Sequence, residues 1–128
     1  MIVVDTSALI AIFQSEPEAK VFLDAITRAD GALITAPTRF EAFVVVSRRQ
    51  GPDRANDLLD LMADLNLTSV AFDESMTAVA ERAYRAYGKG RHGLNYGDCF
   101  SYALAKSRDL PLLFKGEDFA ATDVKRAA

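Results

Sequence analysis

Four acidic residues from distant parts of the chain, Asp5, Glu41, Asp98 and Asp118, are the side chains best suited to chemistry here. Carboxylates can move protons or hold hard divalent cations, and both uses require several of them in one place. Taken singly, each acid has an ordinary explanation. Asp5 can cap a helix that begins after it. Glu41 follows Thr38 by three residues and Asp98 follows Asn95 by three, both capping-box spacings. Asp118 can belong to a turn after Gly116-Glu117. For any one of them, the capping or turn reading is as good as the functional one.

The elements that must position these acids change those odds. Ile2 to Val4 is a short β-branched run without polar alternation, the pattern of a strand buried on both faces. A short helix is expected over Ser7 to Phe13. A second should be capped at Ser15, with Pro17 in its first turn, Glu18 completing a capping box, and Asp30-Gly31 as its stop. Ala32 to Thr35 reads as a second strand. Pro37 opens a helix to about Gln50, which Gly51-Pro52 closes, and another follows over about Asp53 to Leu65. Leu67 to Phe72 is the third strand, and a helix starts at Asp73-Glu-Ser75. After the glycine-punctuated loop Gly88 to Gly93, Asn95 caps a helix from Tyr96 to about Ser107. Leu110 to Phe114 is the fourth strand, and a loop with a partly strand-like tail ends the chain. Strands alternating with helices predict one three-layer α/β/α domain, residues 1–128, around a mostly parallel sheet of four to five strands.

In such a sheet helices run antiparallel to the strands, so helix N-termini share an edge with strand C-termini. Asp5 and Asp118 follow strands, whereas Glu41 and Asp98 lie in the opening turns of helices. All four therefore fall at one edge, where open α/β sheets place their sites. Clustered acids raise one another's pKa unless something compensates them. Mg²⁺, or Mn²⁺ in its place, is the usual compensation for an all-oxygen set. Such an ion acidifies water and steadies charge on a phosphoryl group, chemistry that suits phosphodiester cleavage. Thr6 and Ser7 bring hydroxyls beside Asp5, for a carboxylate, a water or a phosphate, with helix capping an equal alternative.

Positive charge is local. The 128 residues carry a net charge of −3, so the molecule as a whole does not attract a polyanion. Lys89, Arg91 and His92 share one loop leading into the Asp98 helix, Arg82 and Arg85 precede it, and Lys115 follows the fourth strand. These groups could contact phosphates without reading sequence, although a solvated loop explains them as well. Tyr87 and Tyr96 could stack on bases, with packing the simpler role. A single histidine argues against a His-based metal site, and the lone Cys99 excludes an internal disulfide and suits a reduced cytoplasm. Cys99, between Asp98 and Phe100, reads as a small buried side chain rather than a nucleophile. No phosphate-cradling glycine motif occurs, and no apolar run reaches the roughly 20 residues of a membrane helix.

The ordered set Val4-Asp-Thr-Ser-Ala-Leu9, Glu41 after Pro37, Leu94-Asn-Tyr-Gly-Asp-Cys-Phe-Ser-Tyr-Ala103 and Leu113-Phe-Lys-Gly-Glu-Asp-Phe119 with Thr122-Asp123 resembles the PIN-domain ribonucleases, and especially VapC toxins. The resemblance spans essentially the whole chain. It implies a Mg²⁺-dependent endoribonuclease, the toxin of a toxin–antitoxin pair, acting on structured RNA such as tRNA or ribosomal RNA. It assigns Asp5, Glu41, Asp98 and Asp118 the acidic-site roles, with Thr6 or Ser7 assisting, and Glu117 and Asp123 as neighbouring alternatives to Asp118. It further implies homodimerisation and a small cognate antitoxin. Phe40, Phe43 to Val46 and the helix containing Met62 are candidate partner surfaces, though core burial explains them equally. Two rival readings remain: a binding module that grips nucleic acid or an antitoxin without turnover, and a phosphoacceptor domain with Asp73 as the nearest acceptor.

Overall fold

The computed structural model describes residues 1–90 and 93–128. Four parallel strands lie in the order β3-β2-β1-β4: β1 (Ile2–Val4), β2 (Ala32–Thr35), β3 (Leu67–Val70) and β4 (Leu112–Leu113). Among the described residues, six helices cover them: α1 (Thr6–Phe13), α2 (Ala19–Arg28), α3 (Ala36–Gln50), α4 (Pro52–Asp64), α5 (Glu74–Tyr87) and α6 (Tyr96–Ser107). The sheet is thus wholly parallel among the described residues. The expected strand-like tail is a single parallel bridge from Arg126 to Leu112.

Strand alternation divides the core. Ile2 and Val4 of β1, with Ala32 and Ile34 of β2, pack into a cluster with α1 to α4. Val3 and Leu33 point the other way, into a cluster built mainly from α5 and α6. Val3 and Val4 are fully buried and Ile2 nearly so. Each such side chain contributes roughly 1.5–3 kcal/mol, which holds a three-residue strand at the centre of the sheet. In the edge strand β3, Thr68 and Ser69 are exposed and Leu67 and Val70 half-buried.

Turn chemistry sets the joints between elements. Thr35, at the end of β2, caps α3 by accepting from the Thr38 N–H at 3.0 Å. The Thr38–Glu41 capping box expected from spacing is therefore absent, because α3 begins at Ala36 and its cap is already filled. Gly51 has φ of +88°, which turns the chain from α3 directly into α4, with Pro52 in the first turn. The expected start of α2 also shifts. Ser15, at φ +53°, closes α1 instead of capping the next helix, and α2 starts after Glu18 without a side-chain cap. Asp73 and Asn95 do cap α5 and α6 as the spacing predicts. No helix among the described residues is long and apolar enough to cross a membrane.

The strand order places a reversal between β1 and β4. The chain steps outward from β1 to β2 to β3, then returns to β4 on the other side of β1. Open α/β sheets form their ligand crevice at such a point, beyond the strands' C-terminal ends. Asp5 immediately follows β1 there.

Candidate active site

Asp5 caps α1 and is almost wholly buried, with 3% of its surface exposed. Its Oδ2 accepts from the Ser7 N–H at 3.0 Å and the Ser7 hydroxyl at 2.6 Å. Its Oδ1 accepts from the Ser101 hydroxyl at 2.6 Å. Burial pushes the Asp5 pKa up, and the Ser101 and Ser7 bonds work against that rise. Ser7 also ties the crevice together, since its Oγ accepts from the Lys115 N–H at 3.0 Å just past β4.

Glu41 projects from α3, half-buried, and accepts from the Thr6 hydroxyl at 2.5 Å. Burial raises its pKa, the Thr6 bond lowers it, and the nearby Asp5 charge raises it again. The hydroxyls at 6 and 7 thus both serve carboxylates, Thr6 on Glu41 and Ser7 on Asp5, while Asp5 itself does the capping.

Asp98 sits in the first turn of α6, 8% exposed. It forms the capping box that its spacing predicts: its own N–H donates to Asn95 Oδ1 at 2.9 Å, and its Oδ2 accepts from the Asn95 N–H at 3.0 Å. Its pKa nevertheless rises to about 7. Burial is the largest cause, the Asn95 bond opposes it, and the charges of Asp5 and Asp118 add to it. Capping and chemistry therefore do not compete at this residue, because one oxygen satisfies the cap while the group remains poised to ionise. Asp118 is exposed in the loop after β4, near enough that its charge helps raise the Asp98 pKa.

The alternatives to Asp118 stand elsewhere. Asp123 accepts from the Tyr102 hydroxyl at 2.5 Å and pairs with Lys106 at 3.1 Å; the Tyr102 bond holds its pKa below the usual range. Glu117 is exposed, with no hydrogen bond or ion pair to the other acids. Of the basic candidates, Lys89 is exposed, whereas Arg91 and His92 lie outside the described residues. Lys115 is at the crevice, but its ammonium is held by Glu16 at 2.5 Å and lies 3.5 Å from Glu18. Cys99 is buried and donates to the Asn95 carbonyl at 3.3 Å; burial and the Asp98 charge push its thiol pKa up, so it is an unreactive thiol.

Two residues escaped the sequence reading. Ser101 is fully buried, and behind it Thr38 lies 3.4 Å away and accepts from Thr35 at 2.7 Å. A signal was present: Ser101 interrupts an apolar helical run one turn after Asp98. Gly97 is buried in the first turn of α6 against Glu41, which no local spacing announces.

The donor set suits a hard cation, being all carboxylate with hydroxyl support. It is not gathered into a closed ligand set: among the described residues, no three acidic, His or Cys side chains are close enough together to hold an ion. Charge links them in pairs, Asp5 with Glu41, Asp5 with Asp98 and Asp98 with Asp118.

The family model of the PIN domain matches residues 2–125. The chain belongs to the PIN-domain family. Its PIN-domain relatives include Ribonuclease VapC of Mycolicibacterium smegmatis, 44% identical over 95% of this chain and 96% of that protein. Ribonuclease VapC30 of Mycobacterium tuberculosis is 46% identical over 98% of each. Among solved structures, the fold is shared with Mycobacterium tuberculosis VapC20, a sarcin–ricin loop-cleaving toxin. That match has a TM-score of 0.75 at 15% identity and covers 97% of this chain and 96% of that one. A toxin–antitoxin complex from Klebsiella pneumoniae matches with a TM-score of 0.74 at 21% identity, over 100% of this chain and 98% of its own.

Proposed function

We propose that this PIN domain is a metal-dependent endoribonuclease, the toxin of a toxin–antitoxin pair, cleaving structured RNA of the tRNA or ribosomal type. The observation that carries this reading is buried Asp5 at the β1/β4 crevice, with Glu41 and Asp98, from two other elements, each within reach of its charge. Close relatives over nearly the whole chain are named VapC ribonucleases, which supports the same activity here.

Asp5 and Asp98 would hold Mg²⁺, or Mn²⁺ in its place, with Glu41 and Asp118 completing the set. The bound cation supplies Lewis acidity toward a phosphoryl group and acidifies water. The chain's own residues do the rest. Ser7 and Ser101 fix both oxygens of Asp5, so it presents its remaining lone pairs in one orientation. Thr6 does the same for one oxygen of Glu41. Asp98, with its pKa near 7, gives up its proton readily once positive charge is nearby. Lys89 with Arg91 and His92 would contact RNA phosphates, whereas Lys115 contributes its backbone tie to Ser7 rather than a free charge.

A small antitoxin and a second copy of the chain are the proposed protein partners. VapBC complexes among the structural neighbours support the first. Met62 and Val46 are core residues, so on the proposed helical surfaces Phe40, 66% exposed and beside Glu41, is the free anchor.

A turnover assay on total RNA tests the activity. Cleavage should require Mg²⁺, stop in excess EDTA, and disappear in Asp98→Asn, whose amide can still accept the capping bond from Asn95. Full activity in EDTA, or unchanged cleavage by Asp98→Asn, would sink the reading. No cleavage under any metal condition, with RNA binding retained, would instead favour a binding module, which the paired rather than closed arrangement of acids also fits.

A further inference from the structure

Gly97 occupies the second position of α6 and is buried there. Its backbone gives no reason for glycine, because it is helical and outside the positive-φ positions of the chain. In a helix, alanine is favoured over glycine by roughly 0.5–1 kcal/mol. The reason lies across the crevice. A Cβ at position 97 would run into the Glu41 carboxylate, meeting Oε2 first, with Cδ at 2.8 Å and Oε1 at 3.0 Å. These three atoms of one carboxyl group are the nearest neighbours such a methyl would have. The same carboxylate is held by the Thr6 hydroxyl, which donates to Oε1.

We propose that Gly97 is a positioning residue: its missing side chain forms the seat that lets the Glu41 carboxylate lie against the first turn of α6, beside Asp98. Thr6 holds that carboxylate from α1, and the bare Cα of Gly97 receives it from α6. A methyl at 97 drives Glu41 off the seat, because the end of a flexible side chain yields more easily than two packed helices. The fold survives and the acid moves. This inference rests on the reading of the acids as a metal site, and it assigns to a glycine a role in setting the geometry of that site.

The test compares Gly97→Ala, Glu41→Gln and the double variant by Mn²⁺ titration calorimetry, thermal unfolding and RNA cleavage. Gly97→Ala should melt at or above the native temperature, as a helical glycine-to-alanine change does. It should nevertheless bind Mn²⁺ about tenfold more weakly or worse, within the 10–100-fold range typical of residues that orient metal ligands. Cleavage should fall by a similar factor. Once Glu41→Gln is present, adding Gly97→Ala should cost little more, since both changes act through one carboxylate. Native Mn²⁺ affinity in Gly97→Ala, or losses that simply add in the double variant, would overturn the role of Gly97 while leaving the metal site intact. If Glu41→Gln itself binds and cleaves like the native protein, the reading of the site falls and this proposal falls with it.

Discussion

The first half of α6 separates two unlike regions. On one face, Gly97, Asp98 and Ser101 border a narrow crevice of buried carboxylates and hydroxyls. On the other, Tyr96, Cys99 and Phe100 line a groove of about 960 Å³ with Phe72, Tyr84 and Leu94. Large apolar hollows are the usual first guess for a small-molecule site. Among the described residues, however, the groove brings no cluster of buried acids together: its thiol is suppressed by burial, its aromatic rings Tyr96 and Phe72 each pack edge-on against Phe100 at 4.9 Å, and its charged residues Glu81 and Arg85 are exposed. The crevice holds three acids whose pKa values burial has raised. For chemistry on a phosphodiester, which stays outside the protein while one phosphate reaches in, buried acids with raised pKa values are a better pointer to the site than an apolar hollow.

The largest break in that contrast should come from Ser101→Ala. The change removes one hydroxyl from a fully buried position and leaves Asp5 Oδ1 without a donor. Orientation of Asp5 then depends on Ser7 alone. Loss of a group that orients a metal ligand costs about 10–100-fold in metal affinity or activity, and the crevice should lose that much affinity for Mn²⁺ by calorimetry. The cost in stability should be about 1–3 kcal/mol, that of leaving a buried acceptor without its donor. Native affinity in this variant would mean that Asp5 needs no support from α6.

That dependence on Ser101 also marks where the sequence was readable and where it was not. Asp5, Asp98 and their edge of the sheet followed from the order of strands and helices, because the placement of helix N-termini in a parallel sheet is a matter of topology. The strand at Ala32 to Thr35 and the Asn95 cap were legible for local reasons, through length, flanking glycine and box spacing. Ser15 was misread because the backbone bonds that close α1 took it, its N–H donating to the Ile12 carbonyl, which left α2 to start after Glu18 without a side-chain cap. The Thr38–Glu41 box failed because Thr35, a strand residue, already filled the cap. Ser101 and Gly97 act across 96 and 56 residues of sequence, on Asp5 and Glu41. The hydroxyl that interrupts an apolar run marks Ser101 as unusual, but no local pattern says which distant carboxylate either residue meets.

A pH series sharpens the same contrast at moderate size. The folded-state pKa of Asp98 lies near 7, above its ordinary value of 3.8. Between those values the folded protein keeps a proton that the unfolded chain has released. Metal-free stability should therefore fall as pH rises from about 4 to about 7, by at most roughly 1.4 kcal/mol per pH unit for this group. Asp5 and Glu41 are shifted in the same direction. A divalent cation favours the ionised acids, so Mg²⁺ should raise the melting temperature more at pH 7.5 than at pH 5.5. Melting curves at both pH values, with and without Mg²⁺, decide it. A metal-free protein more stable at pH 7.5, or an equal Mg²⁺ effect at both, would show that the acids are not strained by burial.

The smallest effect should come from the groove face of the same helix. Tyr96 is 80% exposed and adjoins Gly97 in sequence, yet its ring leans on Phe100 rather than into the crevice. Tyr96→Ser removes that edge-to-face contact, worth about 1 kcal/mol or less at so exposed a position. It touches none of the hydrogen bonds that hold Asp5, Glu41 or Asp98. Mn²⁺ affinity should therefore stay within about twofold of native, near the scatter expected of surface substitutions. If Tyr96→Ser weakens the metal as much as Ser101→Ala does, the two faces of α6 are coupled, and the groove must be counted as part of the site rather than as a surface beside it.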